Sequence, residues 1–233
     1  MRSTYQRQTP NAKRAPLVYF LDRGSRDMEG FAKIARDLLH PYEVACLREV
    51  HNVGMSERYA VSRAVLRLLL SSLTHSACPT ALFADGCSGR PLPIPLDDAS
   101  DLLFSVSHSS PLSCFAIVTE SHGRCTGIGV DVERRRTVKD PLSTADFAFS
   151  TSERDCLREA DPDMRNDLFL RIWTRKEAVV KCCGGSVAAD MDHFSVPLDR
   201  SLGQRDIRPD GFSLAEDLRL ADLDLGPGVH AAV

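Results

Sequence analysis

The chain has 233 residues, of which 43% are hydrophobic and 26% are charged. These values are ordinary for water-soluble globular proteins and argue against a collagen, a coiled coil or a wholly disordered chain. The formal net charge of -3, from 29 basic and 32 acidic side chains, gives no overall positive field that would hold nucleic acid or an anionic membrane. An anionic ligand would therefore have to be bound by a local cluster of basic side chains.

The eight cysteines include no Cys-x-x-Cys pair. Their spacing matches no zinc pattern and favours reduced, buried thiols over a disulfide framework. Residues 1–14 are polar and basic, and we predict that they form a loose arm. The apolar run behind them, at residues 17–21, is too short for a signal peptide or a membrane span. We therefore expect a cytoplasmic protein.

Apolar positions at helical spacing predict helices at residues 28–38 and 56–73, with a break at Pro41 and with Ser56 as the N-cap of the second helix. Short β-like runs separated by turn residues then predict antiparallel hairpins. These runs are residues 80–84, 102–107, 113–119 and 126–133.

The C-terminal part repeats the order of helices followed by strands. Helices are predicted at 143–148, at 150–160, where Ser150 and Glu153 fit a capping box, and at 163–183, where Gly184 fits a left-handed C-cap. Strands are predicted at 193–198, in part of 212–225 and at 229–233. This repeated order predicts an α+β protein with an N-terminal half at 15–120 and a C-terminal half at 121–233.

The segment Gly127–Glu133 is the most informative strand. Side-chain alternation places Asp131 and Glu133 on one face and the intervening valines on the other. Two carboxylates in this arrangement are hard oxygen ligands that suit a magnesium ion. Taken alone, the segment favours a plainer interpretation, a half-exposed strand with an acidic solvent face.

The segment Trp173–Lys181 shifts the interpretation of the acidic strand toward a metal site. Helical geometry places Trp173, Glu177 and Lys181 on one stripe, and the apolar residues beside them indicate a well-packed helix. The plainer interpretation is a surface Glu–Lys pair, worth about 0.3–0.5 kcal/mol. Charged groups on a buried helix need partners, however, and a metal ion held by Asp131 and Glu133 would provide one.

Together the two segments resemble the signature motifs of the phosphopantetheinyl transferases of the surfactin-synthetase-activating type. The aliphatic-Gly-aliphatic-Asp-aliphatic-Glu strand is present at residues 128–133, and Trp-x-x-Lys-Glu-Ala-x-x-Lys is present at 173–181. Weaker similarities extend the resemblance over residues 41–200. These are Gly89-Arg90-Pro91, Ser107-His108-Ser109, Phe149-Ser150 with Glu153, and the helix headed by Arg58.

The resemblance implies a fold of two pseudo-symmetric α/β halves with the active site in the cleft between them. It implies transfer of the 4′-phosphopantetheine arm of coenzyme A to a serine of an apo acyl or peptidyl carrier protein, with release of adenosine 3′,5′-bisphosphate. A magnesium ion, for which Mn2+ could substitute, would neutralise the diphosphate. Because both halves lie in one polypeptide, we expect a monomer.

The resemblance also assigns roles to individual residues. Asp131, Glu133 and Glu177 would bind the metal, and Asp131, Glu177 and Lys181 would be the catalytic residues. Either Glu177 or a water on the metal would take the serine proton, and Lys181 would stabilise the departing phosphate. The groups implied to bind coenzyme A are Lys181, Lys176, Ser107, His108, Arg58 and Arg90.

Two other functions remain open: a magnesium-dependent hydrolase of a nucleotide or diphosphate, and a non-catalytic module that binds coenzyme A or a carrier protein. No Walker loop supports the first, and the intact catalytic positions argue against the second. Ser107 and His108 are adjacent on a predicted strand, so they point to opposite faces and cannot form a hydrolase dyad.

Two further features of the sequence concern what the protein binds. Glu43 and Cys46 occupy positions where related enzymes often have lysines for the 3′-phosphate. The run Arg134–Arg136 is either a solvated turn or a docking patch for an acidic carrier protein.

Overall fold

The structure is a computed structural model that describes residues 16–25, 27–49, 52–74, 83–85, 91–93, 102–119, 126–184, 191–207 and 218–233. The arm at 1–14 and Arg90 lie outside the described residues. Contacts divide the chain into a larger unit, with described residues 16–21, 104–117 and those from 126 onward, and a smaller unit, with described residues between 22 and 103 and at 118–119. The predicted halves at 15–120 and 121–233 stay a prediction, and residues 104–117 group with the C-terminal elements.

The described residues form a mixed helix and strand structure, as predicted. In chain order the elements are β1 (Leu17–Asp22), α1 (Asp27–Ala35), a 3-10 turn (Arg36–Leu38), α2 (Pro41–Glu49), α3 (Val53–Thr74), β2 (Phe83–Asp85), β3 (Pro91–Pro93), β4 (Leu103–Ser109), β5 (Leu112–Val118), β6 (Asp131–Arg134), α4 (Pro141–Ala148), α5 (Thr151–Glu159), α6 (Pro162–Cys183), a second 3-10 turn (Met191–His193), β7 (Arg205–Ile207), β8 (Leu218–Leu220) and β9 (Val229–Ala232).

In the smaller unit, helix α3 begins three residues before the predicted start. Asn52, and not Ser56, caps it, because Asn52 Oδ1 accepts the main-chain N–H of Met55 at 3.0 Å. Ser56 lies inside the helix, is buried and accepts a hydrogen bond from Arg36 Nη2 at 3.2 Å. The predicted break at Pro41 is followed by helix α2, since proline suits the first helical turn.

The larger unit contains three small sheets among its described residues. Strands β1, β5 and β4 lie side by side in that order, and the two-residue connection between β4 and β5 makes the predicted hairpin. Strand β6 pairs antiparallel with β9, which places Asp131 opposite Ala232 and Glu133 opposite His230. Strands β7 and β8 form the third antiparallel pair.

The strand predicted at 126–133 is shortened at its beginning, because residues 126–130 lie against helix α6. A Cβ added at Gly129 would lie 2.6 Å from Cys182 N and closer still to Ala178 O, and one at Gly127 would overlap the main chain of Cys182. Glycine at both positions therefore allows the helix backbone to rest directly on this segment. The regular strand β6 starts only at Asp131.

Local capping signals place two helix ends where they were predicted. The capping box of α5 is formed, with Ser150 N donating to Glu153 Oε2 at 2.8 Å and Glu153 N donating to Ser150 Oγ at 3.5 Å. Helix α6 ends at Gly184, which adopts a left-handed conformation with φ of 69°. A glycine there avoids the steric cost that other residues carry in this region.

The strand predicted at residues 193–198 is wrong. The second 3-10 turn occupies its start, and the chain that follows is irregular. The main-chain N–H of Val196 donates to Glu153 Oε1 at 2.8 Å, so a side chain on α5 takes the place of a neighbouring strand.

An aromatic stack in the core of the larger unit joins Phe149, the residue that follows α4, to helix α6. The ring centroids of Phe149 and Phe169 lie 5.1 Å apart, and those of Phe169 and Trp173 lie 5.8 Å apart. Among the described helices, none has the length and apolar character needed to span a bilayer. Cys46, Cys114 and Cys156 carry free thiols, of which Cys114 is buried and Cys46 is partly buried. Cys156 is exposed, so the prediction of buried thiols is wrong there.

Candidate active site

The two signature segments meet at one ion pair. Lys181 on α6 donates from Nζ to Asp131 Oδ1 on β6 at 2.7 Å and to the main-chain oxygen of Val130 at 3.3 Å. Asp131 is only 5% exposed, so the pair lies largely out of water. The close approach of α6 to Gly127 and Gly129 is the packing that brings the two charged groups together.

Glu177 joins this pair from one turn earlier on α6. Its Oε2 lies 3.8 Å from Lys181 Nζ. Trp173, Glu177 and Lys181 are all partly buried, which agrees with the prediction that they share one face of the helix. Burial raises the pKa of Glu177, the charge of Lys181 opposes the rise, and the charges of Asp131 and Glu133 add to it. Since such effects fall off with distance, the three carboxylates share one neighbourhood.

Glu133 contacts a hydroxyl and a guanidinium. Its Oε2 accepts a hydrogen bond from Ser109 Oγ at 2.9 Å and lies 3.5 Å from Arg136 Nε. One arginine of the run Arg134–Arg136 is therefore directed toward a predicted metal ligand. The docking role of this run stays a prediction.

Asp131 has one oxygen that is buried without a partner. Its Oδ1 accepts from Lys181 and from Ser107 Oγ, the latter at 2.6 Å, whereas Oδ2 makes no hydrogen bond to any described residue. Burial raises the pKa of Asp131, while Lys181 and Ser107 oppose the rise. A buried, unpartnered carboxylate oxygen is costly unless a donor or a cation binds it. A divalent cation that prefers oxygen ligands fits this atom.

The predicted set of three metal ligands is not assembled around one point. Within the part of the chain that the structure describes, no three acidic, histidine or cysteine side chains lie in an arrangement that could hold a metal ion. The Lys181 ammonium lies between Asp131 and Glu177 and supplies positive charge there. The chemistry of the donors fits a dication, and the assignment of Asp131, Glu133 and Glu177 as its ligands stays a prediction.

The predicted coenzyme A residues of strand β4 lie on its two opposite faces. Ser107 is buried and faces the carboxylates through its bond to Asp131. His108 is exposed, and its Nδ1 lies 3.1 Å from Ser113 Oγ. Adjacent residues thus face opposite sides of the strand, in agreement with the sequence argument against a Ser–His dyad.

Arg58 lies in the smaller unit, exposed on α3, where its Nε donates to the main-chain oxygen of Gly54 at 3.1 Å. Burial, followed by the charge of Arg58, lowers the pKa of Arg23, so the two guanidinium groups lie near each other. The charge of Asp22 opposes this effect, so the region contains two guanidinium groups and one carboxylate.

Lys176 does not face the carboxylate site. It is 0% exposed, and its Nζ donates to Glu153 Oε2 at 2.7 Å and to the main-chain oxygen of Phe194. Burial lowers the pKa of Lys176, and Glu153 opposes that effect. Because its ammonium group is engaged inside the protein, we remove Lys176 from the predicted phosphate-binding groups.

Glu43 has a structural role in the smaller unit. It is 2% exposed, and its Oε2 accepts from Arg67 Nη2 at 2.7 Å. The guanidinium of Arg67 also stacks 4.0 Å from the ring centroid of Phe83. Glu43 therefore neutralises a buried arginine, which is a physical reason for a glutamate where related enzymes often have a lysine.

Two partners of the signature residues were not predicted from the sequence. Ser109 bonds to Glu133, and the alternation of serines at 105, 107 and 109 was the signal that could have revealed a row of hydroxyls on one face of β4. Glu153 was identified as a helix cap and as part of a family-like helix start, but not as the partner of Lys176, because nothing local links the two residues on different helices.

Comparisons with known proteins agree with the resemblance found in the sequence. Residues 127–219 match the family model of the 4′-phosphopantetheinyl transferase superfamily. The matched range includes β6 and α6, which carry the carboxylates and Lys181.

Individual relatives carry the same family name. The chain is 30% identical to the 4′-phosphopantetheinyl transferase HetI of Nostoc sp. over 131 residues, which cover 56% of this chain and 53% of HetI. It is 32% identical to AcpT of Escherichia coli K12 over 56% of this chain and 59% of AcpT, and 30% identical to Sfp of Bacillus subtilis over 59% and 57%. The aligned part thus spans little more than half the length of these relatives. The chain is thus similar to the 4′-phosphopantetheinyl transferase superfamily through residues 127–219.

Proposed function

We propose that the protein transfers the 4′-phosphopantetheine arm of coenzyme A to a serine of an apo acyl or peptidyl carrier protein and releases adenosine 3′,5′-bisphosphate. One observation carries the proposal: the 2.7 Å contact between Lys181 Nζ and Asp131 Oδ1, with Glu177 beside it. This contact unites the two signature motifs at one partly buried point. The family match over the same residues supports it further.

Lys181 is suited to the leaving group. Its side chain is 23% exposed, and the contact with Asp131 holds the ammonium in place. The positive charge would stabilise the negative charge that develops as the bond between phosphorus and the bridging oxygen breaks. Adenosine 3′,5′-bisphosphate then departs with that oxygen.

Glu177 is suited to take the proton of the carrier serine. Burial and the neighbouring carboxylates raise its pKa, which makes it a stronger base than an exposed glutamate. The serine oxygen bonds to the phosphorus that carries the pantetheine arm, and its proton moves to a Glu177 oxygen. One P–O bond forms and one breaks, so the phosphorus keeps its ester bond to pantetheine and exchanges the bridging oxygen for the serine oxygen.

Asp131, Glu133 and Glu177 are the proposed ligands of a magnesium ion, with Mn2+ as a substitute. When bound, the ion would neutralise charge on the diphosphate and favour attack by a neutral hydroxyl. The unpartnered Asp131 Oδ2 supports this assignment, since it is a buried acceptor without a donor among the described residues.

The phosphates of coenzyme A need further cations. Arg58, with Arg23 close to it, supports binding of a phosphate by the smaller unit. Ser107, His108 and Arg90 remain proposed contacts by resemblance. The pseudo-symmetric two-half fold, a monomeric state and a cytoplasmic location belong to the same proposal.

The decisive test is a panel of apo acyl and peptidyl carrier proteins incubated with coenzyme A, MgCl2 and the protein, and followed by intact mass. We expect a mass increase of one phosphopantetheine arm in at least one carrier. Asp131→Asn should abolish this increase, whereas Asp206→Asn, which changes an exposed carboxylate of β7, should not. Consumption of coenzyme A without carrier modification would point to the hydrolase instead, and binding without turnover would point to a non-catalytic module.

A further inference from the structure

A row of serine hydroxyls connects strand β4 to the carboxylate strand. Ser105, Ser107 and Ser109 alternate along β4, so their side chains share one face. Their Oγ atoms accept the main-chain N–H groups of Val130 at 3.1 Å, Val132 at 3.2 Å and Arg134 at 2.9 Å. We call these three contacts the serine ladder. Side-chain oxygens thus take the role that carbonyl oxygens have in a sheet.

Two serines of the serine ladder also donate hydrogen bonds to carboxylates. Ser107 donates to Asp131 Oδ1 at 2.6 Å, and Ser109 donates to Glu133 Oε2 at 2.9 Å. A serine hydroxyl has one proton to donate. Because that proton points to the carboxylate and the oxygen accepts a main-chain N–H, both the rotation of the hydroxyl and the position of the carboxylate are restricted.

The remaining member of the ladder is a natural control. Ser105 is 3% exposed and accepts the N–H of Val130, in the same way as the other two serines. The residue of the opposite strand at the equivalent position, two before Asp131, is Gly129, which has no side chain. Ser105 can therefore support the strand but cannot orient a carboxylate there.

Glu133 also has a competing partner. Arg136 Nε lies 3.5 Å from the same Oε2 atom, and the Arg136 side chain is 55% exposed. Without the hydroxyl of Ser109, this exposed guanidinium would be the main polar partner of Glu133 that remains among its described contacts. The Glu133 carboxylate could then move with the Arg136 side chain to a position farther from Asp131.

We propose that Ser109 is a positioning residue, which holds Glu133 beside Asp131 so that the two carboxylates can share a divalent cation. The inference rests on the proposed function. Groups that orient a metal ligand in this way typically change metal affinity by about 10–100-fold when they are removed. The side chain of Ser109 acts through Glu133 and need not touch the substrate.

The experiment measures binding of Mn2+ alone, by the loss of the free-ion EPR signal, to protein without coenzyme A. We expect Ser109→Ala to weaken binding by about 10-fold or more. Ser105→Ala, which removes a ladder contact without touching a carboxylate, should leave binding unchanged. The isosteric pair Ser109→Thr and Ser109→Val separates hydroxyl from shape, since both β-branched residues suit a strand. Ser109→Thr should keep most of the wild-type affinity for Mn2+, whereas Ser109→Val should bind Mn2+ as weakly as Ser109→Ala.

Several outcomes would overturn the inference. Equal losses in Ser105→Ala and Ser109→Ala would show that the ladder only supports the fold, and equal affinity of the Thr and Val variants would show that the hydroxyl is irrelevant. Absence of Mn2+ binding by the wild-type protein would also reject it. Failure of the proposed function is a separate result, because it would leave the wild-type protein without carrier modification whatever the behaviour of Ser109.

Discussion

The buried pair of Glu153 and Lys176 allows a quantitative test of what holds helix α6 in place. Both residues are 0% exposed. The carboxylate receives three donors: Lys176 Nζ at 2.7 Å, Ser150 N at 2.8 Å and Val196 N at 2.8 Å. The ammonium also bonds to the main-chain oxygen of Phe194 and lies 4.3 Å from the centroid of its ring. Removal of either charge leaves the other buried.

The expected magnitude follows from that burial. Breaking a fully buried pair by removing one partner costs about 3–5 kcal/mol, out of a typical total stability of about 5–15 kcal/mol. We expect this loss for Lys176→Met, and a similar loss for Glu153→Gln. The double variant leaves no buried ion, and the Gln oxygen can still accept a main-chain N–H. It should therefore be more stable than the sum of the single losses predicts.

The assay is urea unfolding of the four proteins, followed by the fluorescence of Trp173, the single tryptophan, which stacks on Phe169 beside the pair. For a chain of this size, about 3–5 kcal/mol corresponds to a decrease in Tm of roughly 6–20 °C. Additive single losses, or a loss below about 1 kcal/mol for Lys176→Met, would refute the claim that this pair is a coupled, desolvated anchor.

Three further predictions follow from single contacts. Gly129→Ala should destabilise the protein by several kcal/mol, because the added Cβ would overlap the main chain of α6. Gly30→Ala in α1, where the added Cβ would meet open space, should stabilise the protein by about 0.5–1 kcal/mol. Urea unfolding of the two variants measures both changes. Burial raises the pKa of Cys114 to about 12, so native protein should bind protons that the unfolded chain releases, and stability should fall as pH rises from 9 toward 12. The same titration of Cys114→Ala should show a smaller fall. Lys181→Ala should lower kcat by about 10²–10³-fold with little change in KM for coenzyme A, and the reverse pattern would assign Lys181 to ground-state binding.

The elements that the sequence predicted well are those whose signals are local. Ser150 and Glu153 lie three residues apart and cap one helix, and Gly184 ends another, so a short window contains the whole interaction. Residues 193–198 contain the alternation typical of a strand, but the hydrogen bond of Val196 goes to a side chain of α5. Periodicity cannot distinguish these cases, because the partner of a half-buried segment is set by tertiary structure.

The candidate site shows the same limit. Spacing alone placed Trp173, Glu177 and Lys181 on one stripe, and the structure agrees. Lys176 was assigned to phosphate because it adjoins Glu177 in the sequence. Neighbours on a helix diverge by about 100° around its axis, however, and the partner that receives the Lys176 ammonium lies on another helix, 23 residues away.

The side chains of Lys176 and Glu177 point to different sides of α6, and this explains why the signature motif contains an adjacent Lys-Glu pair. Lys176 bonds α6 to α5 and to the main chain at Phe194 on one side of the helix, while Glu177 and Lys181 face Asp131 on another side.

A substitution at Lys176 should therefore lower the rate of phosphopantetheine transfer only as far as it lowers the folded fraction. Activity of Lys176→Met, measured with added osmolyte and divided by the folded fraction from Trp173 fluorescence, is expected to match the wild-type protein. The same normalisation should leave most of the loss in Lys181→Ala, because a correction for the folded fraction cannot restore the missing charge at the reacting phosphate. A Lys176→Met protein that is fully folded and yet inactive would contradict this division of roles.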